Sequence, residues 1–187
     1  MNPNGTIPIL QSGIHQVIVE GAPLFDWVLD KEKSASKLLL HKEQEKNIET
    51  IQRYFFREIR GITSQLIRRL ALRVLSPERA PKPTDSRAQE KLTEMMYIFE
   101  SQLLPRLDQE ISGSNKFLTG PKMSVVDIII YCEVSQIFCM YRTKVPSSLK
   151  KLEDWYAEIG GLDAIRQVDA ELEQVLDNFK LREKFRS

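Results

Sequence analysis

The stretch FLTGPKMSVVDIIIYCEVSQIFC, residues 117–139, is the most apolar and most sharply punctuated segment of the chain. After residue 124 its apolar side chains leave almost no polar face, which is typical of a helix that is buried on all sides. About eighteen residues is too long for an ordinary strand. The stretch therefore predicts a central core helix around which the other segments pack.

Ser124 and Asp127 supply the start signal for this helix. They stand three residues apart, which is the spacing of a capping box. In that arrangement the serine oxygen accepts a first-turn N–H, and the carboxylate accepts the N–H of the serine itself. The turn residues Thr119, Gly120 and Pro121 come just before. We therefore predict that Ser124 and Asp127 form a structural cap.

The overall composition is that of a globular protein with no strong electric field. Of 187 residues, 42% are apolar and 28% are charged, with 27 basic and 26 acidic side chains. Such a balance does not favour binding to nucleic acid or to an anionic membrane. There is no signal-peptide pattern at the first residues and no apolar run long enough for a membrane helix. We expect a cytoplasmic protein without nucleic-acid or membrane partners.

Cysteine and histidine are scarce, which limits metal and disulfide chemistry. Cys132 and Cys139 are seven residues apart, or about 10 Å along a helix, which is too far for a disulfide. We predict reduced core thiols whose pKa is raised by burial. His15 and His41 are the two histidines and no Cys-x-x-Cys motif occurs, so no metal site is predicted.

Residues 1–41 have a different pattern from the rest. Two short apolar runs, residues 7–10 and 14–19, are joined by a turn and predict a β-hairpin. A short helix is predicted over residues 22–30, followed by a polar linker up to about residue 42. The order is therefore strand, strand, helix, and we place a domain boundary between residues 41 and 42.

The apolar pattern of residues 42–187 predicts five helices. The first covers residues 43–75 and is stopped by three prolines. The second covers residues 86–111, with Asp85 or Ser86 as its cap and Pro105 as a point of kinking or local breakage. The third is the central helix. The fourth starts at Pro146-Ser147-Ser148 and ends at Gly160-Gly161, and the fifth extends from residue 163 to about 179.

Three arginines of the first helix have alternative interpretations, and two aromatic residues of the fourth helix have one. Arg53, Arg57 and Arg60 share one face of the first helix, where they form either a solvated face paired with Glu49 and Glu58 or a surface for an anionic ligand or a second subunit. Trp155 and Tyr156 are predicted to dock the fourth helix on the central one.

Two separate stretches resemble one known family. Residues 117–120, Phe-Leu-Thr-Gly, followed by Ser124-x-x-Asp127, resemble the start of the central helix in the C-terminal domain of glutathione S-transferases. Residues 2–8, Asn-Pro-Asn-Gly-Thr-Ile-Pro, resemble the Asn-Pro-x-Gly-x-(apolar)-Pro motif of the thioredoxin-like domain of that family. The resemblance is greatest to theta-like members. It implies a mainly α fold, with a five-helix bundle over residues 42–187 preceded by a partial thioredoxin-like β-β-α unit over residues 1–41.

The resemblance also implies where glutathione binds as a substrate. The main chain of Ile7, before Pro8, corresponds to the position that pairs with the cysteinyl part of the tripeptide. Glu20 and Gly21 correspond to the Glu-Ser pair that binds the γ-glutamyl end at a helix N-terminus. Gly21 departs from the family serine and so lacks its hydroxyl. The catalytic serine, tyrosine or cysteine of the family belongs to a first strand or turn that we expect upstream of Met1, and we assign no catalytic residue.

Two functions of different classes follow from this resemblance. The first is an enzyme that conjugates glutathione to a hydrophobic electrophile, provided that the first strands are encoded upstream. The alternative is a non-catalytic protein-interaction module that keeps the glutathione-transferase scaffold. For either function we expect a homodimer or another protein partner.

Overall fold

The structure is a computed structural model that describes residues 9–12, 16–19, 45–75, 78, 80, 82, 84–111, 113 and 115–178. The chain divides into two compact units, Met1–Lys42 and Glu43–Ser187. In the first unit, strands β1 (Ile9–Ser12) and β2 (Gln16–Val19) pair in an antiparallel manner, with Ile9 opposite Val19. The helix predicted over residues 22–30 lies outside the described residues.

Helix α1 contains a π turn within an otherwise α-helical run. It is α-helical over Glu45–Tyr54 and Arg60–Leu75, and the π turn between them is Phe55–Ile59. Phe55 and Ile59 are 1% and 0% exposed, so the wide turn lies against the core. The helix predicted over residues 43–75 is present, and the π turn is a feature that the apolar periodicity did not indicate.

Helix α2 has the same construction, and near Pro105, where a kink or local break was expected, it passes through a π turn and continues. It consists of Ser86–Ile98, a π turn at Phe99–Leu103, and Leu104–Glu110. Pro105 stands in the first turn of the last segment. Proline has no backbone N–H and cannot donate the hydrogen bond of a regular α-helix, and the π turn directly before it already departs from that hydrogen-bond pattern. Of the two predicted caps, Asp85 is the N-cap, and its carboxylate accepts the N–H of Ala88 at 3.1 Å.

Helix α3 (Val125–Tyr141) is the central helix that the sequence predicted. The sequence predicted burial on all sides, but beyond the first turn the fully buried residues occupy one half of the helix, and the other half is half-buried. The fully buried residues are Val125, Val126, Asp127, Ile130, Tyr131, Val134, Ser135, Ile137 and Phe138. The helix ends at Arg142, which takes a left-handed conformation with φ 53°.

Helix α4 (Lys150–Gly160) begins later than predicted, so the start at Pro146-Ser147-Ser148 is wrong. Pro146 instead opens a turn in which its carbonyl accepts the N–H of Leu149 at 2.9 Å. A first-turn N–H of the helix, that of Leu152, donates to Asp108 of α2 at 2.8 Å. The cap therefore comes from another helix. Helix α5 (Asp163–Asn178) follows after Gly161.

The five helices of the second unit form one bundle around α3. Helix α3 contacts α1, α4 and α5, while α2 packs on α1 and α4. Phe99 of α2 also meets Phe138 of α3 edge to face, with ring centroids 5.9 Å apart. The predicted mainly α, five-helix architecture is confirmed in the part of the chain that the structure describes.

Candidate functional site

The residues predicted to bind glutathione, Ile7, Pro8, Glu20 and Gly21, lie outside the described residues. Among the described residues of the helical unit, three groups of polar side chains make hydrogen bonds between α3 and neighbouring segments. The first is the cap at the start of α3. The second and third are junctions, meaning hydrogen-bonded contacts between α3 and another helix, farther along α3.

Ser124 and Asp127 come together as a capping box at the start of α3. Both residues are completely buried. The N–H and the hydroxyl of Ser124 each donate to the Asp127 carboxylate at 2.8 Å. In return, the Asp127 N–H points back at Ser124, where it meets both the hydroxyl and the carbonyl oxygen. The N–H groups of Ser124 and Asp127, which a helix start leaves free, therefore have partners within the capping box.

The Asp127 carboxylate also connects the helix to two other parts of the bundle. Its second oxygen accepts the Leu118 N–H at 2.8 Å and the indole N–H of Trp155 at 3.0 Å. Trp155 is 1% exposed and belongs to α4, so one carboxylate joins the preceding turn, α3 and α4. Four donors aimed at one buried carboxylate satisfy its charge.

A second junction joins α3 to α5 through Asp169. The Tyr131 hydroxyl donates to Asp169 at 2.7 Å, and the Ser135 hydroxyl donates to the same carboxylate at 3.0 Å. Tyr131 stacks on Tyr156 of α4 with ring centroids 4.6 Å apart. This agrees with the predicted docking of Trp155-Tyr156 on the central helix.

A third junction joins α3 to α1 through Glu133. The Thr63 hydroxyl donates to Glu133 at 2.6 Å, and the Arg60 guanidinium lies 3.4 Å from the other carboxylate oxygen. The expected pairing of Arg60 with Glu49 or Glu58 is therefore corrected to an ion pair with α3. Arg53 and Arg57 are exposed, as a solvated face requires.

The junction residues Tyr131, Glu133 and Ser135 were not predicted from the sequence. The available signal was that polar side chains interrupt an otherwise apolar helix, and such groups need partners when they are buried. Their partners Asp169 and Thr63 could not be named, because nothing in the local sequence joins positions 34 to 70 residues apart.

The cysteines are free thiols, as predicted, but they lie at half-buried positions and not in the core. Cys132 and Cys139 form no disulfide, and both are half-buried. Burial raises the pKa of the Cys132 thiol, and the nearby carboxylates of Asp169 and Glu133 raise it further. A thiol that stays protonated is a weak nucleophile.

Three tyrosines of the bundle titrate above the ordinary range. Burial, followed by the nearby Glu58 carboxylate, raises the pKa of Tyr54 to about 12. Burial, followed by the hydrogen bond to Asp169, raises the pKa of Tyr131 well above its usual range. Burial also raises the pKa of Tyr156. These phenols stay neutral in the folded protein at a pH where they ionise in the unfolded chain.

We expect stability to fall as the pH rises from about 10 to 12. Between the pKa of these tyrosines in the unfolded chain and their higher pKa in the folded chain, the unfolded chain releases protons that the folded chain retains. The contribution of the neutral tyrosines to the free energy of unfolding is therefore fully present below pH 10 and is lost as the pH rises through the folded-state pKa. Denaturant unfolding at a series of pH values measures this loss. Tyr54→Phe should flatten the decline, whereas Tyr97→Phe, at a 65% exposed position, should not. An equal response of both variants would contradict the assignment.

Within the described residues no metal site or membrane helix is found. No three His, Cys, Asp or Glu side chains come close enough together there to hold a metal ion. In the same part of the chain, no helix has both the length and the apolar character needed to cross a bilayer.

Comparison with known proteins places this bundle in a family. The family model described as "Glutathione S-transferase, C-terminal domain" matches residues 70–180, which is more than half of the chain. A comparison with curated proteins finds no match.

Solved structures share the fold. A class Gtt2 glutathione S-transferase of Vibrio parahaemolyticus superposes with a TM-score of 0.66 at 18% identity, over 91% of this chain and 74% of that one. A glutathione S-transferase from Actinobacillus pleuropneumoniae superposes with a TM-score of 0.51 at 13% identity, over 91% and 71% of the two chains. At such identities these likenesses concern the fold alone, but they agree with the family match. The chain belongs to the glutathione S-transferase family through its C-terminal helical domain.

Proposed function

We propose that this protein is a glutathione S-transferase that conjugates glutathione to a hydrophobic electrophile. The observation that carries the proposal is the family match over residues 70–180. The Asn-Pro-x-Gly-x-x-Pro motif at residues 2–8, which the family uses beside glutathione, supports it independently. We further propose that the protein acts as a cytoplasmic homodimer.

In this proposal the thioredoxin-like unit binds the tripeptide. The main chain of Ile7, held beside Pro8, pairs with the cysteinyl part of glutathione. Glu20 and the N–H of Gly21 bind the γ-glutamyl end, where a helix N-terminus offers free N–H groups to a carboxylate. Gly21 supplies only its backbone, because it replaces the serine of the family.

The proposed reaction is displacement by the glutathione thiolate. The thiol first gives its proton to solvent, the sulfur then forms a bond to an electrophilic carbon, and a halide leaves with the electron pair of the broken bond. A hydrogen-bond donor near the sulfur must stabilise the thiolate at neutral pH. The family places that donor in its first strand or in the turn that follows.

Two substitutions at the proposed glutathione site should have opposite effects on affinity. Glu20→Ala removes a charged contact and should weaken glutathione binding about tenfold, whereas Gly21→Ser adds a hydroxyl and should tighten it about fivefold. Isothermal titration with glutathione measures both. Glu94→Ala, at an exposed position of α2, is the matched control and should bind like the wild type. Unchanged affinity in both site variants would refute the proposed site.

The alternative function is a protein-interaction module without catalysis. The observation that favours it is Gly21, since the loss of the family serine weakens the case for glutathione as a ligand. Conjugation of a chlorinated dinitrobenzene by the complete protein, measured against the uncatalysed rate, separates the two. Turnover that Glu20→Ala reduces supports the enzyme. Absence of both turnover and glutathione binding supports the module.

A further inference from the structure

The two π turns of the bundle border one cavity. It has a volume of about 380 Å³ and lies between α1 and α2. Tyr54, Glu58 and Ile62 of α1 line one wall, at intervals of four residues. In a regular α-helix residues four apart drift around the axis by about 40° at each step, and the wider π turn at Phe55–Ile59 reduces that drift.

The opposite wall repeats this arrangement. Ile98, Gln102 and Arg106 of α2 are also spaced by four residues, and the π turn at Phe99–Leu103 lies among them. π turns inside α-helices occur frequently at functional sites. Here both are placed so that a row of side chains from each helix faces the same space. The volume is within the range of small-molecule sites, near its lower end.

Two charged side chains line the cavity, Glu58 and Arg106. The Arg106 guanidinium is satisfied from two directions, because it lies 2.6 Å from Glu110 and 5.9 Å above the Tyr54 ring. Glu58 has no ion-pair partner among the residues that the structure describes. Arg106 is thus paired with Glu110, which does not line the cavity, and this leaves the negative charge of Glu58 available to a ligand. An anionic ligand would meet this charge directly.

The remaining lining is apolar. Ile62 and Ile98 are half-buried, and Leu103 at the back of the cavity is 2% exposed. The Gln102 amide adds a donor and an acceptor at the rim. A ligand that fits this lining has a compact apolar body and one positively charged end.

We propose that this cavity binds a small hydrophobic amine, with the ammonium group paired to Glu58 and the apolar body against Ile62, Ile98 and Leu103. The proposal goes beyond glutathione conjugation, because none of these residues belongs to the set Ile7, Pro8, Glu20 and Gly21. An amine is also not an electrophile, so it is a ligand of a different chemical class from the proposed substrate.

Phenethylamine, phenethyl alcohol and phenylacetate are suitable probes, because they share an aromatic body and differ in charge. We expect the full chain to bind phenethylamine about tenfold more tightly than the alcohol, and phenylacetate most weakly. Calorimetry measures the affinities. Backbone amide NMR shifts should locate the amine between residues 54–62 and 98–106.

Matched variants separate this site from nonspecific binding. Glu58→Gln should lower the phenethylamine affinity about tenfold and abolish the preference over the alcohol. Glu100→Gln removes a carboxylate of α2 that does not line the cavity and should leave both unchanged. Ile62→Trp should fill the space and remove binding of all three probes, with a thermal melt to verify folding.

Three outcomes would overturn the proposal. Equal affinity for the amine and the alcohol would exclude a role for the Glu58 charge. Unchanged amine binding by Glu58→Gln would place the ligand elsewhere. Self-association that shifts the amide signals of residues 54–62 and 98–106, with no amine binding at any protein concentration, would assign the cavity to an interface between two copies of the chain.

Discussion

Asp127→Ala should lower the free energy of unfolding by about 4 kcal/mol, the largest effect of any substitution proposed for this chain. The change removes the acceptor of four buried donors, namely the N–H groups of Leu118 and Ser124, the Ser124 hydroxyl and the Trp155 indole. Each donor left without a partner costs about 1–3 kcal/mol, and the costs are not fully additive because the donors share one site. The melting temperature should fall by roughly 8–16 °C for a chain of this size.

Asp85→Ala is the matched control for this prediction. Asp85 also caps a helix, but it is exposed and accepts a single N–H, so its loss should cost about 1 kcal/mol. Trp155→Phe removes one of the four donors and should fall between the two. Denaturant unfolding measures all three variants, and Trp155→Phe remains informative if Asp127→Ala does not fold. Equal losses for Asp127→Ala and Asp85→Ala would show that Asp127 acts only as a local cap.

The local half of this site was predictable from sequence, and the distant half was not. The three-residue spacing of Ser124 and Asp127 before an apolar run is a local pattern, because a helix start depends on neighbouring backbone groups. The Trp155 contact joins residues 28 apart, and it depends on how α4 packs on α3. The same holds for Asp108, which caps α4 from another helix by accepting the Leu152 N–H.

The helix extents were also easier to predict than their internal geometry. Apolar periodicity predicted the first and last residues of α1 and α2 to within about two residues, because the side chains that face the core recur at regular intervals along each helix. It did not show the two π turns, because one extra residue in a helix changes the periodicity too little to be recognised. Those turns place Glu58 and Gln102 on the cavity, so the ligand site proposed there was not predictable either.

Gly160→Ala should destabilise the protein, although alanine is the better helix former. We expect a loss of about 1–2 kcal/mol, since overpacking costs about 1–3 kcal/mol and the propensity gain of up to about 1 kcal/mol offsets part of it. A Cβ at residue 160 would lie 2.8 Å from the Tyr131 hydroxyl. Tyr131 has little room to move, because it is 2% exposed, donates to Asp169 and stacks on Tyr156.

The opposite result is expected for Gly61→Ala. Gly61 is an exposed residue of α1 with nothing within 4 Å of the added Cβ, so this variant should gain about 0.5–1 kcal/mol. Denaturant unfolding measures the change in the free energy of unfolding for both glycine variants. A change of the same sign in both would contradict the packing argument.

A double-mutant cycle with Tyr131→Phe tests whether the hydroxyl is the cause. Tyr131→Phe alone should cost about 1 kcal/mol for the lost hydrogen bond to Asp169. It also removes the atom nearest to the added methyl group, so Gly160→Ala should cost much less in the Tyr131→Phe background than in the wild type. The coupling free energy should then favour the double variant by about 1 kcal/mol. Strict additivity would mean that the Gly160→Ala penalty has another origin, in the end of α4 itself.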